Sequence, residues 1–200
     1  EYAFARCSEL VSINIPEGVV SIGPRCFINC SKLESIKIPA GVTHIKDGMF
    51  SLCTELVSIE IPEKVTAIGP AAFSGCSKLE SINLPDGLQS IMNDAFDNCS
   101  KLATITIPDS LRTIGYRAFR GCSGIQTLSL PDAVNQIGFE AFRGCSGLLS
   151  INIPTGIKGI ETLLFSNCSG LTSLVIPPNI LWIGTGVFDS CSGLTSLTIP

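Results

Sequence analysis

The chain has 200 residues, 45% hydrophobic and 15% charged, with a formal net charge of −4 and a pI near 5.0. That apolar content excludes a disordered chain, and the acidic balance argues against a nucleic-acid binder. Apolar runs of only a few residues leave no transmembrane helix and no direct membrane insertion to expect.

One period organises everything else. Nine of the ten cysteines, Cys7, Cys30, Cys53, Cys76, Cys99, Cys122, Cys145, Cys168 and Cys191, stand 23 residues apart. Nine prolines, from Pro16 to Pro200, and nine phenylalanines, from Phe4 to Phe188, keep the same step. With Cys as position 1 the unit reads C-S-x-L-x-S-I-x-I-P-x-G-V-x-x-I-G-x-x-A-F-x-x, and eight complete units run from Cys7 to Ser190. One such unit cannot bury its own apolar face, so the rungs stack. Residues 1–200 are therefore expected to form one repeat domain. Both ends cut through a repeat, no signal peptide opens the chain, and a fragment of a longer protein is expected.

Along one rung, positions 7 and 9 are apolar and 6 and 8 polar, as in Ser81-Ile82-Asn83-Leu84, which is strand alternation. Each rung should add one short strand to a parallel sheet, at about 4.8 Å per rung and about 40 Å in all. Pro at position 10 ends the strand, and Pro-Asp-Gly or Pro-Glu-Gly turns the chain. Val or Leu at 13 and Ile at 16 form a second, shorter apolar edge. Ala at 20 and Phe at 21 suggest a single helical turn dropping the ring into the core. Position 23 is mostly Asn or Gly (Asn29, Gly75, Asn98, Gly121, Gly144, Asn167), the residues most tolerant of a left-handed backbone. Leu52 and Ser190 depart from that rule, so a left-handed backbone is not expected there.

The pattern L-x-x-I-x-I-P-x-x-V-x-x-I-G-x-x-A-F-x-x-C closely resembles the BspA-like, or Treponema-type, leucine-rich repeat family over essentially the whole chain. Lys46, Met92 and Glu161 replace the position-17 Gly, and Cys26, Met49 and Leu164 the position-20 Ala. The resemblance implies a repeat solenoid: a right-handed superhelix with a parallel β-sheet on its concave face and short β or helical-turn segments on the convex side. It also implies surface or secreted proteins that adhere to host or matrix proteins, with no shared catalytic residues and no cofactor.

Most candidate sites also have an ordinary structural role. The sheet face (Asn14, Lys37, Glu60, Asn83, Thr106, Ser129, Asn152 and Val175 at position 8, with Ser or Thr at position 6) is polar and nearly uncharged. The cysteine column reads best as buried free thiols, although stacked rungs would allow disulfides. Cys26 reads as a core residue, and His44 alone cannot complete a zinc site. The position-11 acids Asp86, Asp109 and Asp132, with Glu17 and Glu63, read as solvated turn residues, with calcium a minor alternative. Asn29, Asn98 and Asn167 match a glycosylation pattern that turn geometry already explains. Alternating charges at position 3 (Glu9, Lys32, Glu55, Lys78, Lys101) suit neighbours on adjacent rungs and give way to Gly124, Gly147, Gly170 and Gly193. Arg112, Tyr116, Arg117, Arg120, Phe139 and Arg143 form a basic and aromatic cluster of the kind found at binding hot spots, and Trp182 is a further partner contact or a cover for the core.

Two functional readings stay open. One is a non-catalytic adhesion or recognition module, cell-surface or secreted, that binds a protein. The other is a scaffolding subunit of a larger assembly, which free cysteines in a reducing compartment would suit. An enzyme is the weakest reading, for want of a phosphate loop, metal cluster or triad.

Overall fold

A computed structural model describes residues 1–199; Pro200, the last of the periodic prolines, lies outside the described residues. The chain is a parallel-strand β-solenoid, with no helix among the described residues. Nine short strands form the principal row: β1 (Ser12–Ile13), β2 (Ser35–Ile36), β3 (Ser58–Glu60), β5 (Ser81–Asn83), β7 (Thr104–Ile105), β9 (Thr127–Leu128), β11 (Ser150–Ile151), β13 (Ser173–Val175) and β15 (Ser196–Thr198). Six more form a second row: β4 (Ala67–Ile68), β6 (Ser90–Ile91), β8 (Thr113–Ile114), β10 (Gln136–Ile137), β12 (Gly159–Ile160) and β14 (Trp182–Ile183). Pairing is parallel and always one repeat apart, Ser58 with Ser81 and Ile68 with Ile91 for example. The period-two burial expected at positions 6 to 8 holds: in β3, Ser58 and Glu60 are exposed while Ile59 is buried.

The second apolar edge is thus a second strand row, and the expected helical turn is absent. Positions 19 to 23 form a third ladder built another way. The N–H groups of positions 19, 21 and 23 donate to carbonyls of the following rung: Asp94 to Tyr116 at 2.9 Å, Phe96 to Ala118 at 2.8 Å and Asn98 to Arg120 at 2.7 Å. To aim these groups along the axis, position 19 takes a positive φ in every rung (Tyr2, Arg25, Gly48, Ala71, Asp94, Arg117, Glu140, Leu163, Gly186), and so does position 23. A left-handed residue at each of those positions precludes a helix. Leu52 (φ 61°) and Ser190 (φ 58°) share this conformation despite their residue types, which corrects the expectation made for them. Hydrogen bonding across rungs overrides a local cost of about 1–2 kcal/mol per non-glycine residue.

The core runs unbroken through the rungs. Its axis is the Phe column, where successive rings from Phe4 to Phe188 stack with centroids 5.3–6.0 Å apart and planes within 12°. Offset stacking of this kind contributes about 0.5–1.5 kcal/mol per pair beyond the area buried. Beside it runs the Cys column. Each thiol from Cys30 to Cys191 donates to the carbonyl of the Phe 26 residues earlier, Cys99 to Phe73 at 3.1 Å for instance. That carbonyl also accepts the N–H of its own rung's next Cys. Cysteine suits the site because it is small, apolar and still a weak donor.

Candidate binding surface

The Arg and aromatic residues singled out in sequence mostly meet on one rim, where positions 18, 19 and 22 of neighbouring rungs lie over one another. Tyr116 and Phe139 stack with centroids 5.0 Å apart and planes 7° off parallel. The Arg117 guanidinium lies 5.8 Å from the Phe139 centroid, a cation–π distance. Phe139 is 42% exposed. The pair forms a fixed apolar shelf at the surface.

The sequence reading missed the acids that hold this group. Arg120 makes a two-pronged pair with Asp97, Nε to Oδ1 at 2.7 Å and a terminal nitrogen to Oδ2 at 2.8 Å. Glu140 accepts from Arg117 and from Arg143, each at 3.1 Å. Asp97 and Glu140 are both buried. The two arginines, Arg117 foremost, hold the Glu140 carboxyl below the usual carboxylate range against the opposing effect of burial. Asp94, desolvated and beside Asp97, is pushed upward. Charge complementarity one repeat apart was the available signal: Asp97 and Arg120, like Arg117 and Glu140, are 23 residues apart. Arg112 does not join the group. It donates to the carbonyls of Asp109 and Leu111 in its own rung.

The sheet face keeps the sequence-predicted residues on its surface, but several are engaged. Asn152 bonds both backbone groups of Leu130, at 2.7 and 2.8 Å. Lys37 pairs with Glu17 at 2.6 Å and lies in register with Glu60. Asn14, Asn83, Thr106 and Ser129 are exposed, and Val175 is 67% exposed. Trp182, in β14, is 47% exposed, and its indole occupies the place where a Cβ on Gly159 would stand. The large ring at position 15 is thus accommodated by the missing side chain one rung before it.

The remaining candidates are explained by packing. The ten cysteines are free. Burial pushes Cys53 and Cys168 up to about 12 and raises those between them well above the ordinary thiol range, so these thiols are protonated and poor ligands or nucleophiles. Cys26 is buried, and Cys30, four residues on, donates to Phe4. His44 bonds Thr43 at the surface. Among the turn acids, Asp132 accepts the Thr155 N–H at 2.9 Å, which lowers its pKa. No group of three metal-ligating side chains occurs among the described residues. Asn29, Asn98 and Asn167 all have φ near 60°, as their turn position requires. At position 3 the expected pairs form, Lys32 with Glu9 and Lys78 with Glu55.

The family model for BspA-type leucine-rich repeat regions matches residues 1–126 and 113–200. The chain belongs to that family. No curated protein matches it. Among solved structures, a leucine-rich repeat protein of Bacteroides ovatus is 36% identical with a TM-score of 0.77, covering 80% of this chain and 41% of its own. The Treponema pallidum leucine-rich repeat protein is 37% identical with a TM-score of 0.77, covering 80% of this chain and 78% of its own. A leucine-rich cell surface protein of Faecalibacterium prausnitzii shares the fold at 24% identity and a TM-score of 0.50, covering 99% of this chain and 69% of its own. The chain therefore spans well under half of the Bacteroides protein. None of the described helices, there being none, is long and apolar enough to cross a membrane.

Proposed function

We propose that this chain, taken as one repeat domain, is a non-catalytic protein-binding module acting at the cell surface or in secreted form, with a host or matrix protein as its partner. The observation that carries the reading is the Tyr116–Phe139 shelf with Arg117 against it. Rigid aromatic area next to a guanidinium is the composition of interface hot spots, and the ion pairs fix it in place before any partner arrives, which lowers the ordering cost of binding. Arg120 and Arg143 support the shelf, because Asp97 and Glu140 already engage them. The family resemblance supports the surface location and the adhesive role.

A second reading, a scaffolding subunit that contacts neighbouring subunits inside the cell, draws on the column of protonated free thiols, which a reducing compartment would preserve. Surface resonance against immobilised matrix and host proteins separates the two. Saturable binding that is lost in Phe139→Ala and Tyr116→Ala, both folded by circular dichroism, supports the adhesive module. Absence of binding at tens of micromolar, about the weak end for a functional recognition contact, favours the scaffold.

A further inference from the structure

The rim carries a second feature. A groove of 620 Å³ crosses its first rungs, walled by Tyr2, Arg6, Arg25 and Asp47 and floored by small or apolar residues, among them Ala5, Ile28, Ser51 and Ala71. The floor is low because position 19 carries Gly48 and Ala71 and position 22 carries Ser51 and Ser74, where later rungs carry Asp, Arg and Glu. One wall is fixed. Arg25 donates to the Tyr2 hydroxyl at 2.7 Å, pairs with Asp47 at 2.9 Å and has its guanidinium 5.8 Å from the Tyr2 ring centroid.

Arg6 differs from every other arginine. Arg25, Arg117, Arg120 and Arg143 each pair with a carboxylate, and Arg112 binds backbone carbonyls. Arg6 is exposed, and among the described residues its guanidinium has neither a hydrogen-bond nor an ion-pair partner. Its backbone is nonetheless held, with its N–H donating to the Ile28 carbonyl at 2.8 Å. A guanidinium with no partner among the described residues thus lines a mostly apolar groove from a fixed backbone position, on a protein whose net charge is −4.

We propose that this groove takes an extended acidic and apolar segment of a partner protein. A carboxylate of the segment pairs with Arg6, and an apolar side chain lies against Tyr2 over the Ala5–Ile28–Ala71 floor. The guanidinium offers two parallel N–H donors, a geometry that carboxylates match. Small floor residues let a peptide backbone approach closely. This deepens the protein-binding reading by naming a partner chemistry, at a location distinct from the Tyr116–Phe139 shelf.

The test is fluorescence anisotropy with a fluorescein-labelled nonapeptide alternating Glu and Val, alongside the same peptide with Gln for Glu. The Glu peptide is expected to saturate with a Kd tighter than about 1 mM. Arg6→Glu, and the Gln peptide, should each weaken binding at least about tenfold, the loss of one charge-assisted contact. Ser51→Trp, which fills the groove without touching Arg6, should weaken it similarly, with folding of each variant checked by circular dichroism. Phe139→Ala should leave it unchanged, so failure at the groove and failure at the shelf are told apart. Equal binding by wild type and Arg6→Glu, absence of saturation, or equal competition by a single-stranded oligonucleotide would overturn the proposal.

Discussion

Raising the pH should unravel this solenoid through its cysteine column. Cys53, Cys76, Cys99, Cys122, Cys145 and Cys168 have at most 1% exposure, and desolvation raises all six. A thiol whose folded pKa lies above its unfolded value of about 8.5 stabilises the fold fully below that pH. The stabilisation is lost as pH rises from there towards the folded values, about 12 for Cys53 and Cys168. At pH 9.5 the unfolded thiol gains about 1.4 kcal/mol by ionising, and at pH 7.5 about 0.1 kcal/mol. Over six thiols the fold loses about 8 kcal/mol between those two pH values, as much as the whole stability of many domains. Thermal unfolding by far-ultraviolet circular dichroism, with a phosphine reductant throughout, measures it. The Cys99→Ala/Cys122→Ala variant should start less stable and lose about a third less over the same interval, which separates thiol ionisation from that of lysines. An unchanged melting temperature from pH 7.5 to 9.5, or the same loss in the double variant, would refute the reasoning.

At the left-handed positions, Ala71→Gly and Leu52→Asn relieve a positive φ. Each should hold stability constant or raise it by up to about 1 kcal/mol, reversing the usual cost of such changes and readable as a shift in urea midpoint. Phe96→Ala removes one ring between Phe73 and Phe119 and should cost about 3–5 kcal/mol, with the greatest loss of amide-exchange protection in the flanking rungs. Glu140 contributes stability that is present above the ordinary glutamate range and lost as pH falls through its depressed folded value. Glu140→Gln should therefore flatten part of the acid limb of a melting-temperature profile. In native protein at pH 8, a maleimide should label Cys7 rapidly, Cys191 slowly and the buried column only on unfolding.

The columns that pack against themselves were legible in the sequence. Phe, Cys, Leu and Ile recur because each rung's core side chain meets its own kind one rung away, so residue identity records the contact. The position-19 conformation was not legible, since Tyr2, Arg25, Asp94 and Leu163 have no common left-handed preference. Their shared φ is imposed by backbone hydrogen bonds between rungs, which leave no mark on side-chain type. The same ladder forbids the helical turn that Ala and Phe suggested. On the rim, the acids that hold the arginines were within reach of the alignment: Asp97 stands in the column of Arg120 one repeat earlier, and Glu140 stands three residues before Arg143 in the same rung. The room for Trp182 comes from Gly159, which stands in the same column one rung earlier.

The most direct test of the protein-binding account asks which face a bound partner covers. With a partner captured on the resonance surface, affinity is compared for wild type, Tyr116→Ala/Phe139→Ala on the rim, and Lys37→Ala/Glu60→Ala on the sheet face. The account predicts a loss of at least about 100-fold, some 3 kcal/mol, for the rim variant and less than about threefold for the sheet-face variant. The opposite ranking would contradict it, placing the contact on the strand row and leaving the stacked aromatic pair a purely structural feature.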